Sequence, residues 1–240
     1  MRFLQHVLAI LGLSLVALSA GASPANPQNG VDYRTLDKVQ PTESGKKVEV
    51  TEFFWYSCPH CSALEPSLEQ WVKKQGDNIV FKRVPVAFRE SFIPQQKLYY
   101  ALEAMGKVDD MQLKVFNAIH SDRKSLDTDA AIVDFVASQG IDKKKFLDLY
   151  NSFAIQTKVR QAAKLQEAYM VDGVPLLAVD GRFETSPSIV GAALGRQPAP
   201  VLHAATFQVL DWLVATVAKE KKAQPAAKGA SGAAVAKPKK

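Results

Sequence analysis

The order of polar and apolar positions in this 240-residue chain changes period several times, and each change marks an element. Residues 47–55 read KVEVTEFFW, β-branched and aromatic, with Ser44-Gly45 as a break upstream. That pattern predicts a strand, buried on both faces near its end. After Cys58-Pro59 the apolar positions Leu64, Leu68, Trp71 and Val72 fall three or four apart, which predicts a helix. Pro59 suits the first turn, where its missing N–H leaves nothing unpaired. Pro66, inside the pattern, is expected to kink it. Gly76 closes the helix, and residues 79–84, IVFKRV, read as a second strand. Strand, helix, strand at this spacing is a βαβ unit, so the two strands should run parallel.

From Pro94 to Met170 the pattern is helical throughout, in segments 95–105, 109–121, 128–139 and 142–170. Breaks fall at Gly106, Ser121-Asp122 and Gly140, and Asn151-Ser152 should split the last segment into a short and a long helix. Asp127 or Thr128, and Asp142, have N-cap chemistry. Strand character then returns at 176–179, Asp180-Gly181 is a hairpin turn, and 182–185 pairs back. A final amphipathic helix covers 201–218. The order describes a mixed α/β sandwich with a helical subdomain inserted in its middle.

Both ends differ from this body. Arg2 precedes an apolar run over 7–20, and Ala20-Gly21-Ala22 supplies a small-x-small processing signature with Ser23 after it. Residues 1–22 therefore read as a signal peptide cleaved after Ala22, too short for a bilayer span of about 20 residues. No later segment reads as long and apolar enough to cross a membrane, so the mature protein is expected outside the cytoplasm, where disulfides persist. At the other end, residues 219–240 carry seven lysines and one glutamate, a net +6. They hold no aromatic residue and read as a disordered Lys/Ala-rich tail, with the folded body ending at 219. Residues 23–218 carry 22 basic and 23 acidic side chains, a net −1. The high overall pI thus belongs to the tail, and the body lacks the positive field that nucleic-acid binding needs.

Only two cysteines are present, Cys58 and Cys61, in the stretch FFWYSCPHCSALEP. A disulfide across so short a loop adds little stability. Structural zinc needs four Cys or His ligands; outside the stretch only His6, His120 and His203 remain, without ligand spacing. His120 and His203 read as structural or surface residues, and no metal is expected. Reactivity is left. Cys58 opens a helix, where unpaired N–H groups favour an anion, and His60 adds positive charge or a hydrogen bond. A stabilised Cys58 thiolate stabilises the reduced pair and makes its disulfide a strong oxidant. Cys61, one turn deeper, is the expected resolving thiol. Of the neighbouring aromatics, Trp55 or Tyr56 is a candidate for the substrate surface.

Glu52, followed by Phe53-Phe54 and six residues before Cys58-Pro59-His60-Cys61, the helical insertion, and Gly173-Val174-Pro175 before a hairpin together resemble the DsbA family of thiol:disulfide oxidoreductases. The resemblance spans roughly residues 30–219. It implies a thioredoxin-like fold with an inserted α-helical domain: 23–90 and 171–219 for the thioredoxin-like part and 91–170 for the insertion. It also implies that Pro175 is the family's cis-proline facing the cysteines, and that Val174 offers its backbone to an extended substrate, a form of strand addition. An acid at position 52 would lie beneath the motif and shuttle a proton for the buried cysteine. Glu52 shares its strand parity with Val48, Val50 and Phe54, so burial of its charge would be expensive; Lys82, between Val80 and Val84, is its expected partner.

The function implied is an exported oxidase that donates the Cys58–Cys61 disulfide to newly translocated proteins with free thiols. It would act as a monomer, without organic cofactor, and be reoxidised by a DsbB-like, quinone-linked membrane partner. A reductase or isomerase using the same motif is one rival, and a peptide-binding chaperone whose cysteines are secondary is another.

Overall fold

The computed structural model describes residues 26–223. The signal peptide read over 1–22, and the tail beyond 223, lie outside the described residues. Five strands make one sheet in the order β1-β5-β4-β2-β3: β1 is Arg34–Thr35, β2 Val48–Phe54, β3 Ile79–Pro85, β4 Leu176–Val179 and β5 Phe183–Thr185. β2 and β3 are parallel, as a βαβ unit requires, and their crossover is α1, Pro59–Gln75. The other neighbours are antiparallel. Pro66 lies within α1 without ending it.

Every residue of the central strand β2 is buried, because both faces of the sheet are covered. One face holds Val48, Val50, Leu177 and Val179 beneath α1, α7 (Pro187–Leu194) and α8 (Ala199–Ala223). Trp71 of α1 stacks on Phe207 of α8 and donates its indole N–H to Asp211 at 2.8 Å. On the other face Phe53 and Ala178 join the core of the inserted helices. These are α2 (Ile93–Ala104), α3 (Val108–His120), α4 (Asp129–Ser138), α5 (Lys143–Tyr150) and α6 (Phe153–Ala168). Thr128, Asp142 and Ser152 cap α4, α5 and α6 by accepting a backbone N–H, and Ser152 marks the break anticipated at 151–152.

The hairpin turn is as its sequence required. Asp180 and Gly181 both have positive φ, 54° and 65°, as a type I′ turn demands. A Cβ on Gly181 would sit 2.2 Å from the carbonyl oxygen of Gln40, so glycine is required twice over. Two elements escaped the sequence reading. β1 is too short to show a period, whereas α7 had a legible start in Ser186-Pro187, N-cap and first turn.

The C-terminal boundary needs correction. α8 runs through Lys219, Glu220, Lys221 and Lys222 to Ala223 rather than fading at 218. Glu220 accepts from Arg182, and Lys221 donates to Asp180 at 2.5 Å and to the Lys47 carbonyl at 2.8 Å. These bonds tie the last turn to the β4–β5 corner, where charge that reads as solvated tail becomes anchorage. By length and mean hydropathy α8 could cross a bilayer, contrary to the expectation for segments after the leader. Its apolar residues Val209, Leu210, Leu213 and Val217 are instead spent covering the sheet.

Candidate active site

β2 delivers the chain to the site. After Phe54, residues 55–57 form a turn in which the Cys58 N–H donates to the Trp55 carbonyl at 2.9 Å, and Cys58 becomes the N-cap of α1 with Pro59 behind it. Cys58 is 7 % exposed and Cys61 fully buried, and both are free thiols. Their acidities diverge. Cys58 is lowered to about 6, chiefly because the Cys61 thiol donates to its sulfur; the backbone N–H groups of Cys61 and His60 and the charge of His60 add to this against burial. Cys61 is raised well above the ordinary thiol value, first by burial, then by its role as donor and by the negative charge of Cys58 and Glu52. The helix terminus and His60 thus act in the direction anticipated, but the largest cause is the second cysteine itself. At pH 7 Cys58 is predominantly thiolate, while Cys61 keeps its proton.

Across from Cys58, the Val174–Pro175 peptide bond is cis, and the Val174 carbonyl lies 3.4 Å from the Cys58 sulfur. Val174, Pro175, exposed His60 and Tyr169 line a groove of about 830 Å³. His203 of α8 lines it too. Burial lowers its pKa, and the charge of His60 adds to the shift.

Beneath Cys61 lies a closed set of charges. Glu52 is fully buried, and Arg83 donates from Nε to its Oε2 at 3.0 Å and from Nη2 to Oε1 of Glu65. Glu65 sits one turn beyond Cys61 on α1 and is also fully buried. Two carboxylates share one guanidinium in a dry environment, so charge on both is disfavoured. Burial, then the neighbouring Glu65, raises Glu52 to about 8 against the pull of Arg83; burial likewise raises Glu65. Glu52 Oε1 has no hydrogen-bond partner in the protein.

The expected Lys82–Glu52 pair is not formed. Parallel register places Glu52 opposite Arg83, and Lys82 opposite Thr51. Partners in register point to the same side of a sheet, so Lys82 emerges on the opposite face. There it reaches Glu49 at 2.9 Å and Glu43 at 3.1 Å. The sequence carried a signal for Glu65, which follows Cys61 at i+4 on the side of α1 that also holds Leu68. For Arg83 there was none without the register. Tyr56 is buried between Phe54 and Phe116, which removes it from the substrate surface. Trp55 is partly buried and stacks on Phe92 with centroids 3.8 Å apart. Among the described residues no group of three or more His, Cys, Asp or Glu side chains is placed to hold a metal ion.

Thiols of such unequal acidity, one helical turn apart, are suited to exchanging disulfides rather than to closing a loop. Carried at the end of a central parallel strand, they define a thioredoxin-like thiol:disulfide oxidoreductase. Comparison with known proteins names the branch. The family model for the DSBA-like thioredoxin domain matches residues 49–205. The thiol:disulfide interchange protein DsbA of Burkholderia cepacia is 48% identical over 213 residues, covering 88% of this chain and 96% of that protein. The DsbA of Bordetella pertussis is 42% identical over 186 residues, covering 78% and 88%. The crystal structure of Pseudomonas aeruginosa DsbA superimposes with a TM-score of 0.71 at 34% identity, over 82% of this chain and 96% of that one. The chain belongs to the DSBA-like thioredoxin family, and it is a dithiol–disulfide oxidoreductase that works through a redox-active cysteine pair.

Proposed function

We propose that the protein donates the Cys58–Cys61 disulfide to exported proteins bearing free thiols, in the periplasm, after loss of residues 1–22. The observation that carries the direction of transfer is the unequal pair: a Cys58 thiolate near pKa 6 above a Cys61 that holds its proton. A stable thiolate is a good leaving group and favours the reduced enzyme, so the disulfide is readily given away.

In the first step a substrate thiolate attacks the Cys58 sulfur. The Cys58–Cys61 bond breaks and its electron pair goes to Cys61, which takes a proton. Glu52, raised to about 8, holds such a proton at neutral pH and lies within electrostatic reach of Cys61. In the second step another substrate thiolate attacks the substrate sulfur of the mixed disulfide, and Cys58 departs as thiolate. Two electrons have moved from substrate to enzyme, and a quinone-linked membrane partner of the DsbB type removes them. His60 and Pro59 serve the Cys58 thiolate, one by charge and the other by starting α1 at that point. Val174 and Pro175 present backbone to an extended substrate beside Cys58, supported by the carbonyl of Val174 lying against its sulfur.

Equilibration of the mature protein with glutathione mixtures tests the reading. A disulfide reduced by mildly reducing mixtures, at a potential well above that of thioredoxin, supports the donor. One that resists reduction as thioredoxin does makes the protein an exported reductase instead.

A further inference from the structure

The inserted helices reach the active-site turn at three points that the thiol chemistry leaves unexplained. His120, the last residue of α3, sets Nε2 2.8 Å from the carbonyl oxygen of Tyr56. A carbonyl only accepts, so the imidazole N–H donates. Gln112, earlier on α3, accepts from the Tyr56 hydroxyl at 2.7 Å. Gln95 of α2 donates to the Ser57 hydroxyl at 2.7 Å and to the Leu126 carbonyl at 3.1 Å. Tyr56 and Ser57 are the two residues immediately before Cys58.

Stability alone is a poor explanation of these contacts. Gln95 and Gln112 are buried, Gln95 Oε1 has no partner in the protein, and Gln112 is shared between Tyr56 and the buried Glu65. A buried amide half satisfied is costly, and an apolar side chain of similar shape would fill the same space without that cost. What the amides and the imidazole supply is a fixed place for the turn. The N–H groups of His60 and Cys61 that favour the Cys58 anion belong to α1. The Cys58 sulfur hangs between that helix and the turn of residues 55–57, so its distance from those donors depends on both.

We propose that His120, Gln112 and Gln95 are positioning residues, through which the inserted helical layer holds the Cys58 sulfur against the amide donors at the start of α1. The proposal rests on the reading of Cys58 as the exchanging thiolate. It extends that reading by giving the insertion a part in the chemistry: two elements of different layers jointly set the redox poise of the pair. Releasing the turn lets the sulfur drift from its donors, which weakens the thiolate, disfavours the reduced form and makes the disulfide harder to reduce.

The test compares the full-length parent with His120→Ala, His120→Gln and Ser57→Ala. For each, the glutathione equilibrium constant, the pH titration of thiolate ultraviolet absorbance and the urea stability of the reduced form are measured. His120→Ala is expected to shift the equilibrium about tenfold toward the disulfide, equivalent to about 30 mV, and to move the thiolate midpoint upward. Glutamine retains an N–H donor, so His120→Gln should recover most of both. Ser57→Ala should shift both in the same direction, by about threefold in the equilibrium. A His120→Ala protein that is less stable but unchanged in midpoint and equilibrium overturns the proposal. So does a glutamine variant displaced as far as alanine. Should His120→Ala fail to fold, an unshifted Ser57→Ala is sufficient to overturn it. A parent whose Cys58 titrates as an ordinary thiol would refute the functional reading itself, which keeps the two failures distinct.

Discussion

Two triads of one cation between two glutamates sit on the same pair of strands, one residue out of step. Glu52–Arg83–Glu65 lies on the face under α1, with both glutamates fully buried and Arg83 11 % exposed. Glu49–Lys82–Glu43 lies on the other face, where Lys82 is 35 % and Glu43 90 % exposed. Composition is nearly the same and the physics is not. Glu49 is itself buried at 7 % exposure, but Lys82 and Glu43 reach water, which screens the cation and weakens its pairs. In the core, desolvation penalises each carboxylate, and Glu52 holds a proton far above the usual carboxylate range. Strand alternation decides which triad has its cation open to water and which is closed off beneath Cys61.

The comparison is sharpened most by removing each cation in turn. Arg83→Met removes the counter-charge and hydrogen-bond donor of the buried Glu52–Glu65 pair and should destabilise the protein by about 3–5 kcal/mol in urea unfolding. Lys82→Met should cost no more than about 1 kcal/mol; equal losses would break the distinction between the triads. Next comes Glu52→Gln. The folded-state pKa of Glu52 lies above its unfolded value, so between pH 4.5 and about 8 the unfolded state ionises while the folded state does not. Stability therefore falls across that window as pH rises, and Glu52→Gln should flatten the fall. Glu52→Gln should also slow release of Cys61 in single-turnover oxidation of a dithiol peptide, by about tenfold or more. Glu49→Gln, in the triad on the other face, should leave that rate unchanged.

A smaller effect concerns the dithiol itself. Cys58 is depressed in the folded reduced protein, so its stabilisation is complete above the ordinary thiol range and is lost as pH falls through about 6. The excess stability of reduced over oxidised protein should shrink over the same range, as paired urea titrations of the two forms would show. A gap that widens toward acid pH would contradict the assignment. Smallest is Lys221→Ala, which should loosen the end of α8 from Asp180 with a loss of about 1 kcal/mol and no change in redox equilibrium.

What could be read in the chain follows from how local its causes are. Val48 to Phe54, the thiols at the start of α1, the caps at Thr128 and Asp142, the break at Asn151-Ser152 and the Asp180-Gly181 turn all have causes within a few residues. So each appeared in the sequence at nearly its observed place. β1 is a strand only because β5 lies beside it. The end of α8 is a helix, rather than tail, because Asp180 and Arg182 are there to receive Lys221 and Glu220.

The same division runs through the site. By itself the sequence determined the redox pair and its polarity, because a helix N-terminus and a neighbouring His act over a few ångströms of contiguous chain. It determined that Glu52 is out of place among apolar neighbours. Only tertiary structure decided which cation answers it, since a parallel register shifts by whole residues without changing either strand's own pattern. Only tertiary structure brought His203 into the groove that His60 lines, 143 residues away, and His120 against Tyr56, 64 residues away. Contacts across layers depend on where helices pack, and that is settled by the whole core at once.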